Sequence, residues 1–262
     1  MKGSRKKIAQ SKLAMSKVLS FLLVHTYSTG DVLQKLVGYT PAGLWKLMFK
    51  MEVWGLIITQ DFTIVGTHRI RVYGITLAGV HKATPANQVV NDYRRFEPSK
   101  CSLMTMQHQL DIQKLHLWAI EKGIRFYGSK DFYDSKKGAG DKRADAVLEI
   151  KGQKIAVEIE RTPKTRARYA EIVANYFREI KQGQFQQVWY MMPDEASRMS
   201  IEKVITSIPS IKVRGALSVN TVQLKPEHWE YFTFIVHPYY QAKPNKPQKP
   251  ATNQGGTNHV AA

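Results

Sequence analysis

Cysteine is nearly missing from this chain. Cys101 stands alone among 262 residues, so no internal disulfide can form and there is no Cys-rich zinc site. Acidic residues are also scarce: 21 Asp and Glu face 39 Lys and Arg, a net charge of +18. That imbalance points to a polyanionic partner, nucleic acid first and an acidic membrane surface second. Long apolar runs are absent. The longest, residues 18–24, is broken by Ser20 and falls far short of the ~20 residues of a membrane helix, so no membrane insertion is expected. The basic N-terminus lacks the apolar core and cleavage site of a signal peptide, and a cytoplasmic location is expected. No internal repeat is present. What remains is ordinary globular material, 43% hydrophobic and 10% aromatic, enough for one large domain or two small ones.

The charge is concentrated toward the front. Residues 1–100 carry 15 basic and five acidic side chains, whereas residues 101–236 carry 21 and 16. In the first segment, Met15, Val18, Leu19 and Leu22 recur at helical spacing. A short helix over Gly30–Val37 follows. Thr40-Pro41 then opens a third helix that buries Leu44, Leu47, Met48 and Met51 and exposes Trp45, Lys46, Phe49 and Lys50. Strand-like runs at 53–59 and 63–75, joined near Gln60-Asp61, place Arg69 and Arg71 on one face. Three helices and a basic hairpin resemble a winged helix-turn-helix over residues 1–83. Lys46 and Lys50 would then meet DNA in the major groove, with Arg69 and Arg71 on the wing. A helical unit with a solvated basic face, or one used for protein contacts, is the alternative.

Residues 84–100 read as a linker, and 101–236 alternate helices and strands as a mixed α/β unit. A helix over 105–122 should bury Leu110, Leu117 and Ile120 and stop at Gly123. Residues 134–143, rich in charge and glycine, read as a mobile loop whose Lys136, Lys137, Lys142 and Arg143 would track single-stranded DNA. Residues 237–262, with three Lys, no acid and many Pro, Gln, Asn and Gly, read as a disordered tail.

The most informative stretch is 143–162. A two-residue turn at Lys151-Gly152 sets Glu149 opposite Lys154 and Asp145 opposite Glu158, and strand alternation adds Glu160 to the same face. Like charges directly opposed on a sheet are destabilising, and Arg143 is the one obvious cation nearby. A divalent ion would offset that repulsion, and hard oxygen ligands suit Mg²⁺ or Mn²⁺. The plain alternative is an amphipathic strand with a solvated polar face. Beyond it, Arg161, Lys164, Arg166 and Arg168 form a basic cluster suited to phosphate, or a solvated basic turn. Tyr169, Ile172, Val173, Tyr176 and Ile180 make a helical core stripe. His108 reads as a ligand-orienting residue or a structural one.

Asp145 followed by Glu158-Ile159-Glu160 resembles the D…(D/E)-x-(K/E) core of the PD-(D/E)XK nuclease superfamily. With the winged-helix pattern and the helix carrying Gln107-His108-Gln109-Leu110, the chain resembles the replication-relaxation family over roughly residues 10–236, most closely the MobC-type (MOBC class) plasmid mobilisation relaxases. The resemblance implies an N-terminal winged helix followed by a restriction-endonuclease-like α/β domain. It implies an enzyme that binds a plasmid origin of transfer and nicks one strand with a divalent metal, together with an accessory mobilisation protein and a coupling protein of a secretion system. Asp145 and Glu158 would be the metal-binding acids. Glu160 stands where most such nucleases have Lys, leaving it open whether it holds metal or takes the proton. None of the eight His forms the His-hydrophobic-His pair of relaxases that use a Tyr nucleophile, which argues against that chemistry. A restriction-type or element-encoded endonuclease of the same fold, and a non-enzymatic winged-helix replication or partition factor, are the rival functions.

Overall fold

The computed structural model describes residues 2–63, 69–133, 143–214 and 219–241. Helix α1 (Lys2–His25) buries Met15, Val18, Leu19 and Leu22, the stripe its spacing predicts. Thr26, at φ +72, turns the chain sharply into strand β1 (Tyr27–Thr29). Helix α2 (Gly30–Val37) ends at Gly38. Helix α3 (Pro41–Val53) begins where its first residues dictate: the Thr40 hydroxyl accepts the Gly43 N–H at 3.2 Å and Pro41 fills the first turn. Strands β2 (Ile57–Thr63) and β3 (Arg69–Ile75) pair antiparallel, and β1 joins the other edge of β3.

The hairpin differs from expectation. Helix α3 keeps Val53, and Gly55 at φ +66 leads the chain from that helix into β2. The strands are joined after Thr63, which pairs with Arg69, rather than at Gln60-Asp61. Asp61 lies inside β2, directly opposite Arg71, which donates two hydrogen bonds to its carboxylate at 2.8 and 2.9 Å. An opposite-charge pair across the ladder stabilises strand where a turn was expected. Residues 64–68, between the strands, lie outside the described residues.

Helix α4 (Leu77–Ala83) follows, capped by Thr76. The segment expected to be a linker docks on this half. Phe96 is buried, its N–H donates to the Ile75 carbonyl at 2.8 Å, and its ring occupies the space that any Cβ on Gly74 would need.

Helix α5 (Leu103–Lys122) stops at Gly123, as expected. Then come β4 (Arg125–Gly128), α6 (Ser129–Phe132), β5 (Ala146–Ile150), β6 (Gln153–Ile159), α7 (Arg166–Lys181), β7 (Gln187–Met192), α8 (Glu195–Thr206), β8 (Ser210–Arg214), β9 (Val219–Gln223), β10 (Phe232–Val236) and α9 (Pro238–Gln241). The main sheet has the order β10-β7-β6-β5-β4. Its β4, β5 and β6 run antiparallel, and β6, β7 and β10 run parallel. The fold is mixed α+β.

Both faces of that sheet are covered. On one, Ile112, Leu115 and Ala119 of α5 pack against Leu148, Val157 and Ile159. On the other, Tyr169, Ile172, Val173 and Tyr176 of α7 and Ile201 and Ile205 of α8 pack against Val147, Ala156 and Val188. Helix α5 also gives Met106, Leu110 and Leu117 to the core of the N-terminal half. Wrapped on two sides, it has no single apolar stripe, and Ile120, expected inside, is exposed. The tail expectation fails at its start. His237 is buried and Pro238–Gln241 are helical, because Tyr240 reaches a buried acid described below. Residues 242–262 lie outside the described residues.

Where α1 meets α5, His25 Nε2 and His116 Nδ1 share a hydrogen bond of 2.8 Å beneath the Phe126 ring, which stacks on His116. Burial holds His116 down at about 4, and burial plus the neighbouring His116 holds His25 well below the ordinary value. In the folded state this pair stays neutral while the unfolded chain takes up protons below about pH 6.5. The pair's contribution to stability is therefore full above that pH and is lost as pH falls, by roughly 1 kcal/mol per unit for His116 down to about pH 4. Urea denaturation at pH 7, 5.5 and 4.5 should show that fall, and His116→Gln should make it shallower.

Candidate active site

The turn at Lys151-Gly152 has φ values of +51 and +78, the conformation of a tight hairpin. It fixes the register: Glu149 opposes Lys154 and Ala146 opposes Val157. The paired register ends at Ala146–Val157. Asp145 lies just before the strand, at a bend, where its N–H donates to the same Val157 carbonyl at 2.9 Å. It is held beside the end of β6 and does not pair directly with Glu158, the pairing expected from the turn. The three carboxylates do lie at one end of one hairpin, but not on a solvated face. Tyr176 of α7 reaches Glu158, and Glu158 and Glu160 are only 3% and 5% exposed, whereas Asp145 is partly open.

Each acid meets protein donors. Asp145 Oδ2 accepts the Ile159 N–H at 2.8 Å, and Oδ1 faces His108 Nε2 at 3.3 Å. Burial opposes charge on His108, but the Asp145 hydrogen bond and charge outweigh it and raise its pKa. Glu158 Oε1 accepts the Tyr176 hydroxyl. Glu160 Oε2 pairs with Lys164 Nζ. The Tyr169 hydroxyl accepts the Lys164 N–H at 3.1 Å and so fixes the turn that delivers this lysine. The repulsion that called for a metal is thus met within the protein, by groups 4 to 37 residues away in sequence.

One polar atom nearby has no partner. Tyr190 pairs with Glu158 across the parallel strands, its hydroxyl is buried, and it makes no hydrogen bond. Burial, then the charges of Glu158 and Glu160, push its pKa well above the ordinary phenol value. The carboxylate oxygens of Asp145, Glu158 and Glu160 are of the donor type that suits Mg²⁺ or Mn²⁺. Among the described residues, however, no three His, Cys, Asp or Glu side chains are gathered as a ready metal group.

The basic cluster after β6 is not gathered as a clamp. Arg161 pairs with Asp111, Arg166 donates to Ser207 Oγ at 2.8 Å, and Arg168 pairs with Glu171 at 2.7 Å. Lys46, Lys50 and Arg69 are exposed on the N-terminal half, and Arg71 is held by Asp61. Lys136, Lys137 and Lys142 lie outside the described residues.

Comparison of the chain with protein-family models, with curated proteins and with solved structures gives no match. The site has to be read from its own geometry.

That geometry includes two features with only faint sequence signals. The first is a cleft. Asp145 opens into a cavity of about 410 Å³ lined also by Thr26, Gln109, Ser129, Lys130 and Arg143. A neighbouring hollow of about 730 Å³ shares Lys130 and Arg143 and adds Arg94, Tyr93 and Tyr133. Lys130 of α6 thus lines the same cavity as Asp145, and Arg94 of the 84–100 segment lines the adjoining one. The second is Asp111, 1% exposed in the middle of α5. It pairs with Arg161 and with Lys114 Nζ at 3.2 Å, and accepts the Tyr240 hydroxyl at 2.6 Å and Gln107 Nε2 at 3.1 Å. Its backbone carbonyl lies 3.0 Å from His237 Nε2. Burial works against its charge, yet these donors outweigh burial and lower its pKa. An acid three residues before a lysine on a helix with no polar face was the available signal.

Removing one partner of a buried ion network leaves the rest uncompensated. Asp111→Ala should lose about 3–5 kcal/mol of stability, and Tyr240→Phe about 1–3 kcal/mol. Urea titration of each variant checks both, with the larger loss expected at Asp111.

Proposed function

We propose that this chain is a DNA-nicking enzyme of the relaxase kind. It binds a plasmid origin of transfer and cuts one strand in a metal-dependent reaction. The observation that carries this reading is the carboxylate hairpin. The nearly buried Glu158 and Glu160 and the less buried Asp145 lie toward one end of the hairpin, near the buried Tyr190 hydroxyl. Asp145 opens into a cleft lined also by Lys130, Asp131 and Arg143. Lys130 and Arg143 give that cleft two cations that suit a phosphate backbone, beside the acids Asp131 and Asp145.

The finer assignments belong to the same proposal. The three helices and the β1-β3-β2 sheet serve as a winged helix, with Lys46, Lys50 and Arg69 toward DNA. The hairpin between α5 and α7 serves as a nuclease core of the PD-(D/E)XK kind. Asp145, Glu158 and Glu160 are the residues that would hold Mg²⁺ or Mn²⁺. Such an ion activates water or a hydroxyl and neutralises charge on the phosphate. The protein's own part is to hold the acids in register through the Lys151-Gly152 turn, to keep His108 beside Asp145, and to keep Lys164 beside Glu160. An accessory mobilisation protein and a coupling protein complete the proposal.

A supercoiled plasmid carrying the element's own origin, incubated with Mg²⁺ or Mn²⁺ and with the accessory protein, should yield nicked circles. Chelation should stop the reaction. Asp145→Asn and Glu158→Gln should each lower the rate on the order of a hundredfold or more while DNA binding persists. Linear product would favour a restriction-type endonuclease. One observation favours a non-enzymatic reading: every carboxylate already has a protein donor. Unchanged plasmid relaxation by Glu158→Gln would establish that reading.

A further inference from the structure

Helix α3 shows water an unusual surface. Trp45 and Phe49, one turn apart, are 57% and 54% exposed, with rings stacked at 5.5 Å and 14° between planes. Trp54, at the helix end, is also exposed and carries Lys50 Nζ 4.5 Å above its ring. Lys46 and Lys50 alternate with these rings along the helix. The helix has one acid, Glu52, and it is turned away to accept the Thr59 N–H at 3.0 Å. Contiguous exposed aromatic surface of this kind marks a binding site.

We infer that this face binds unpaired DNA, stacking exposed bases on Trp45 and Phe49 while Lys46 and Lys50 hold the backbone. Flat rings interleaved with cations suit a ligand that offers π-faces and phosphates together. Duplex DNA does not offer its base faces, since they are stacked within the helix, and its grooves are read through base edges. A second copy of this chain is disfavoured by charge. A two-fold contact through α3 sets the patch against itself and brings Lys46 and Lys50 toward their own counterparts. The inference rests on the nucleic-acid part of the function proposed above and not on nicking. It gives α3 unpaired DNA in place of the duplex groove that the last helix of a winged helix would read.

The test uses the full-length protein without metal, in EDTA, so that it stands whether or not the protein nicks. Fluorescence anisotropy would follow a labelled oligo(dT) 20-mer, and the same strand paired with oligo(dA). Trp45→Leu and Phe49→Leu keep the face apolar and remove its rings, at exposed positions where the fold does not depend on them; circular dichroism checks the fold. The double variant should lose about 10- to 100-fold in affinity for oligo(dT), with little change for the duplex. Its log K against log salt slope should stay that of the wild type, whereas Lys46→Ala and Lys50→Ala should each reduce the slope by about 0.7. Unchanged oligo(dT) affinity in the leucine variants overturns the inference. So does an equal loss on the duplex, which would make α3 a groove reader. Tighter capture of the wild type by phosphatidylglycerol vesicles than by oligo(dT) overturns it in favour of a membrane surface.

Discussion

A single buried carboxylate ties the molecule together. An ionised group with almost no exposure is very costly unless donors surround it. Asp111 recruits donors from its own helix, Lys114 and Gln107, and from two distant parts of the chain, Arg161 in the turn after β6 and Tyr240 in α9. Arg161 follows Glu160 directly, so the charge that satisfies Asp111 also fixes where the strand bearing Glu158 and Glu160 leaves the sheet. The network reaches the N-terminal half as well. Lys114 lies over the ring of Tyr239, and Lys35 of α2 lies over the same ring at 4.0 Å.

Helix α5 is the element on which this hub is mounted, and it is shared. It gives Met106 and Leu110 to one core and Ile112 and Leu115 to another, while Gln113 accepts the Ser28 hydroxyl and donates to the Tyr27 carbonyl at 2.8 Å. His116 meets His25 one turn on from Gln113. The cleft beside Asp145 is therefore walled by groups from both halves, Thr26 from one and Lys130 from the other. His108, on the same helix, is delivered to Asp145 by the packing that joins the halves.

What could be read in advance was local. Thr40-Pro41 announces α3, Lys151-Gly152 announces the hairpin and its register, and the Tyr169–Tyr176 spacing announces the buried side of α7, because each depends on residues within a turn or two. The burial of Glu158 and Glu160 was not legible, since the strand pattern of alternating acids is the same whether helix or water lies above it. Nor were β1, α9 or the seat of Phe96. Each is created by a partner far along the chain: β3 for Tyr27–Thr29, Asp111 for Tyr240, Gly74 for Phe96. Asp61 reads as a turn residue in the sequence because only the strand register sets Arg71 opposite it.

The division of positive charge follows from these facts. Arg161, Lys164, Arg166 and Arg168 looked like a phosphate clamp, but each has a partner within the chain, so a passing strand would have to compete with Asp111, Glu160, Ser207 or Glu171 for it. For the buried pairs that competition exposes an uncompensated acid and is costly. The surface-exposed Arg168–Glu171 pair is cheap to open. A polyanion is then better served by cations that water already reaches: Lys46 and Lys50 on α3, Arg69 at the start of β3, and Lys130 and Arg94 along the cleft. The internal cations shape the carboxylate site, and the outer ones stay open to a polyanion. The chain's large positive charge is divided between these two tasks.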